Sequence, residues 1–179
     1  MSHRRLLAAL CQLIGSAEEI VCSLTPEVYS RTPAPLGTGS VGAHLRHCLD
    51  TCRALVEGVP GGVIDYSRRE RELAVEEDPS RGLEVCVSMR ASLMELVALD
   101  PEMSLSVVPE KMAGGVEPTP LKSNLARELE SLRSHTLHHF AMVAVFLRHQ
   151  EVDPGPEFGV APSTLEHWEE VERCAPLPG

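Results

Sequence analysis

The chain has 179 residues, 43% of them apolar, and a formal net charge of −10. That length suits one domain spanning residues 1–179 with a sizeable core. The acidic balance speaks against nucleic acid and anionic membranes as partners, since both need a basic surface, and no apolar run approaches the roughly 20 residues that cross a bilayer. Aromatic residues make up only 3%, so Leu, Val, Ala and Met must build the core, which favours helix-on-helix packing. The six cysteines lie mostly in helical patterns and form no C-x-x-C pair, which points to buried free thiols in a reducing cytoplasm.

Residues 4–24 carry Leu6, Leu10, Leu13, Ala17, Ile20 and Leu24 at helical spacing, and Thr25-Pro26 ends the helix. Arg4 and Arg5 before an apolar stretch faintly resemble a signal peptide, but Glu18 and Glu19 follow and no small-residue cleavage site is evident, so this is read as an ordinary first helix. Residues 26–39 are rich in Pro and Gly and read as a loop. Ser40 is a candidate N-cap for a second helix over Val41–Glu57. The segment Ile64–Glu72, with Tyr66, Arg69 and Arg71, reads as a solvated charged stretch, or else as a binder of an anionic substrate group. A third helix is expected over 80–98, stopped by Asp100-Pro101. Met103–Val108 alternates like a short strand, Ala113-Gly114-Gly115 signals a turn, and Val116–Leu121 is a candidate edge partner. The fourth helix starts near Ser123, and Ser163 or Thr164 is placed to cap a last short helix in which Trp168 packs. These elements predict an all-α fold: an antiparallel four-helix bundle with a small β-hairpin or extended segment before the last long helix and a short C-terminal helix.

Chemistry concentrates on the second and fourth helices. His135 and His139 are four apart within LESLRSHTLHHFAMVAVFLR, one above the other on a helix face. His139 falls on the stripe of Leu125, Leu129, Leu132, Val143 and Leu147, with His135 at its edge. Buried imidazoles need partners, and a shared metal ion would supply one; hydrogen-bonded or surface histidines are the plainer alternative. On the second helix, His44 borders the apolar stripe and His47 points further round, so periodicity alone favours His44 as the inward residue. Asp50 lies one turn beyond His47, where a carboxylate can orient an imidazole. Three neutral imidazoles suit Zn²⁺, with Ni²⁺ or Fe²⁺ as alternatives, and three protein ligands leave a position open for water or a thiolate. Thr136 follows His135 where a zincin protease has its general-base Glu, which excludes that class.

The motif Ser40-x-Gly42-x-His44-Leu45-x-His47, followed in order by His135-Thr136-Leu137-His138-His139, resembles the DinB-like (damage-inducible) superfamily of four-helix-bundle metalloproteins. Asp65-Tyr66-x-x-Arg69-x-Arg71 and the tail Phe158–Thr164 are similar to stretches in an uncharacterised subgroup. The resemblance implies His47, His135 and His139 as metal ligands, against the preference of periodicity for His44. It leaves His44 and His138 as supporting or substrate-side residues. Ala43 stands where the family often has an aromatic, which changes the pocket wall.

The resulting expectation is a metal-dependent enzyme, thiol-dependent S-transferase-like or hydrolase-like. It would use a divalent metal, zinc first, and a low-molecular-weight thiol. Asp50, Tyr66 and Arg69 would serve a small-molecule substrate, and the chain would act in the cytoplasm, with a homodimer as its expected assembly. The alternative is a non-enzymatic metal- or ligand-binding helical module, which predicts a closed site with a fourth protein ligand from His44 or His138.

Overall fold

The first helix, α1 (His3–Val21), buries Leu6, Leu7, Leu10, Cys11, Ile14, Ala17 and Val21, one face at helical spacing. It opens the computed structural model of the chain, which describes residues 3–174 except 35, 36, 38, 69 and 112–116. Arg69, the turn at 113–115 and Val116 therefore lie outside the described residues.

Thr25-Pro26 ends α1 as expected but also starts something. Thr25 caps a five-residue helix, α2 (Pro26–Ser30), with the proline in its first turn. The expected loop from 26 thus begins with a helical turn that buries Tyr29 completely. Ser40 accepts a hydrogen bond from the Ala43 amide at 3.0 Å, capping α3 (Val41–Gly58). A 3-10 turn (Val59–Gly61) leads to strand β1 (Val63–Asp65), a second 3-10 turn (Tyr66–Arg68) and the short α4 (Leu73–Glu77). The Tyr29 hydroxyl donates to the Val75 carbonyl, fastening α2 beneath α4. Asp78 caps α5 (Pro79–Glu95) by accepting from the Ser80 amide.

Strand β2 (Ser104–Val108) is the alternating segment seen in the sequence, with Leu105 and Val107 buried. Its edge partner β3 occupies Leu121–Asn124, later than expected. Asn124 is both the end of β3 and the N-cap of the long helix α6 (Leu125–His149), which was expected to start near Ser123. The last helix, α7 (Pro162–Cys174), starts at the proline itself, one and two residues ahead of Ser163 and Thr164. Trp168, expected to pack, is 45% exposed.

The expected all-α four-helix bundle is overturned. Among the described residues there are seven α-helices and a three-stranded mixed sheet of order β1-β2-β3. β1 runs parallel to β2 (Ile64 opposite Val107) and β3 runs antiparallel to it (Leu105 opposite Ser123). The physical reason is Ile64. It is fully buried and pairs in register with Val107, so its backbone polar groups are satisfied by joining β2 rather than left buried and unpaired. The sheet stacks β1 against α3 and joins β3 to α6. The four long helices still share one core: α1 packs on α5 and α6, and α3 packs on the same two. Among the described residues no helix is long and apolar enough to cross a membrane.

Candidate metal centre

Helix α3 faces α6, and this contact brings the histidines together. His47 and His135 meet at 3.0 Å between their Nε2 atoms. The ring of His139 lies 4.5 Å from each of theirs, centroid to centroid. One nitrogen from each of His47, His135 and His139 lies within 4.8 Å of the other two, so the three could hold a metal ion. Tetrahedral zinc with nitrogen ligands needs nitrogens about 3.3 Å apart, from a metal–nitrogen bond of about 2.05 Å. The His47–His135 pair, at 3.0 Å, is already close to that spacing, and no pair in the trio exceeds it by more than about 1.5 Å.

The donor chemistry fits as well. Burial pushes the His139 imidazole down to about 3, helped by the neighbouring His135, His47, His44 and His138. It is therefore neutral at physiological pH and offers a lone pair. His44 stands behind it: its Nδ1 lies 2.8 Å from the Nδ1 of His139. The tautomer that frees His139 Nε2 for a metal donates its Nδ1–H to the Nδ1 of His44, which burial holds neutral by lowering its pKa. The His44 ring in turn packs edge-on against Phe146, with centroids 5.1 Å apart. His138 is exposed, its ring 5.4 Å from that of His139.

The other candidates fall into place differently. Asp50 is buried and pairs at 2.8 Å with Arg46, whose Nε reaches Glu76 on α4 at 2.9 Å. This ties α3 to α4 on the side of α3 next to the histidines. Arg71 is exposed. The Tyr66 hydroxyl donates to Oε2 of Glu128 at 3.1 Å, while Ser123 donates to Oε1. Burial and the Glu128 charge raise the phenol far above its ordinary range, so it stays a donor.

Glu128 was missed in the sequence. It is only 7% exposed. Its signal was a carboxylate on the apolar stripe of α6, one residue before Leu129 and two turns ahead of His135. Among the described residues, the only buried charged side chains are Asp50 and Glu128. Asp50 has Arg46, whereas Glu128 makes no ion pair there. Its place in the first turn of α6 gains at most about 2 kcal/mol from the helix dipole. Burying a charge costs several kcal/mol.

No family model matches the chain, and no solved structure does. A stretch of 107 residues, 59% of the chain, is 27% identical to "FK506-binding protein 5" of Rhizopus delemar. The stretch spans 27% of that protein's length. What fold and site define is a mostly helical protein with a small mixed sheet and a three-histidine cluster able to hold a metal ion.

Proposed function

We propose that the chain is a metal-dependent enzyme of the S-transferase-like or hydrolase-like kind, working on a small molecule with a low-molecular-weight thiol or water. The observation that carries the reading is the convergence of His47, His135 and His139 with nitrogens within 4.8 Å of one another. A divalent ion held there, zinc first and nickel or iron next, supplies Lewis-acid activation of a thiol or water. The chain's own part is to fix the three imidazoles: α3 and α6 aim them, burial keeps His139 neutral, and His44 holds the His139 ring. His44 and His138 lie outside the three-nitrogen group, which favours an open coordination position over the closed site of a purely binding module.

The order of the histidine motifs along the chain also supports membership of the DinB-like superfamily as a proposal. The test is elemental mass spectrometry of the purified protein beside its His139→Ala variant. About one equivalent of zinc, nickel or iron, lost in the variant, is the expected result. Metal-free protein that stays so after reconstitution overturns the reading.

A further inference from the structure

We infer that Glu128 receives the ammonium end of a cationic small substrate whose reacting end lies at His47, His135 and His139. The inference rests on the metal-centre reading above and adds a substrate class to it.

Three observations carry it. First, Glu128 is a buried carboxylate whose partners among the described residues are both neutral, Tyr66 and Ser123. A carboxylate offers about four acceptor positions, and these two donors fill half of them. A cation supplied by a ligand completes both the charge and the hydrogen bonding. Second, Glu128 and His135 line one open groove of about 780 Å³, together with Ser131, Ser134, His138 and Glu130, the last paired with Arg133. The groove therefore joins the Glu128 carboxylate to His135, one of the three candidate metal-binding histidines, without crossing the core. Third, the two residues are seven apart on α6, two turns or about 10 Å along the axis. A short flexible molecule spans that distance. Arg127 also lines the groove, but it is exposed and one residue from Glu128, so it projects about 100° away around the helix.

The phenol and hydroxyl then serve to aim the carboxylate. Tyr66 holds Oε2 and Ser123 holds Oε1, leaving the remaining lone pairs for the ligand. Tyr66 is thereby a positioning residue for Glu128, with its own hydroxyl already committed.

The test uses isothermal titration of the zinc-loaded full chain with 6-aminohexanethiol, 6-hydroxyhexanethiol and hexylamine. The amino thiol should bind about tenfold more tightly than the hydroxy thiol, the value of one charge-assisted hydrogen bond. Glu128→Gln should abolish that preference, the two thiols then binding alike. Tyr66→Phe should weaken the preference and leave metal content intact, which a merely structural role for the phenol would not do. Hexylamine, which needs no metal, should bind wild type and not Glu128→Gln. Both thiols binding equally to wild type, with hexylamine silent, overturns the inference and leaves the metal centre standing. Failure of the chain to take up zinc, with hexylamine binding retained, overturns the metal reading and keeps an ammonium site at Glu128. An ammonium preference that survives Glu128→Gln, with normal thermal melting, also refutes the assignment.

Discussion

Acid should destabilise the metal-free protein through His139, and the size of the effect follows from its surroundings. Its folded pKa is near 3, while a free imidazole titrates near the ordinary value of 6.5. The sign follows from that order. Above pH 6.5 the ring is neutral in both states, and its contribution to stability is fully present. Below 6.5 the unfolded chain takes up a proton that the folded chain refuses, so stability falls progressively until about pH 3. At pH 5 the unscreened loss is about 2 kcal/mol. The ring is only half-buried, and solvent screening reduces this to about 1 kcal/mol. The assay is urea denaturation followed by circular dichroism at pH 8 and pH 5 in the presence of a chelator, comparing wild type with His139→Asn. Wild type should lose about 1 kcal/mol more than the variant between the two pH values. Equal losses, or a larger loss in the variant, would refute the assignment of a buried neutral imidazole. With zinc bound, the acid loss should be steeper still, because protons compete with the metal for all three rings.

Gly42→Ala should destabilise by at least about 2 kcal/mol in chemical denaturation, although the same change in an open helix gains about 1. A Cβ there would sit 2.1 Å from the Glu76 carbonyl oxygen and 2.6 Å from the Tyr29 ring, so α2 and α4 would have to move. Stability equal to wild type would show that this close approach is absent in solution. Phe158→Ala should cost about 3 kcal/mol, because Phe158 is buried and stacks on Phe140 at 5.3 Å. Protease sensitivity should then appear first in the 150–161 connection, as peptide mapping would reveal. Iodoacetamide should label native protein only at the exposed Cys22 and Cys174. Burial raises the Cys48 thiol strongly and pushes Cys52 and Cys86 up to about 12. Intact-mass detection of a third adduct under native conditions would contradict that.

Local signals in the chain were enough for the long helices. The spans of α1, α3, α5 and α6, the Ser40 cap and the alternation of β2 depend on residues within a turn or a strand of each other, and they lie close to where the sequence puts them. The pairing of His135 with His139 belongs to the same class, being a property of one helix. Other features depended on distant parts of the chain. β1 has three residues and one buried side chain, too little to show as a pattern. It exists because β2, some 40 residues on, offers a parallel partner. α2 and α4 each have five residues, below the length at which periodicity can be read, and Tyr29 ties them together.

The choice between His44 and His47 was also tertiary. Residues three apart on a helix lie about 60° from each other, so both can face a neighbouring helix. Only the rotation of α3 against α6 sets His47 against His135 and leaves His44 behind His139. Glu128 makes the same point in reverse. Its place on an apolar stripe was visible in the sequence, but its meaning was not. Only the folded chain sets Tyr66 and Ser123 against its two oxygens and leaves its charge without a counter-ion among the described residues. Helix spans follow from short-range periodicity, whereas sites follow from which faces are turned toward each other, and that is settled by packing the whole core.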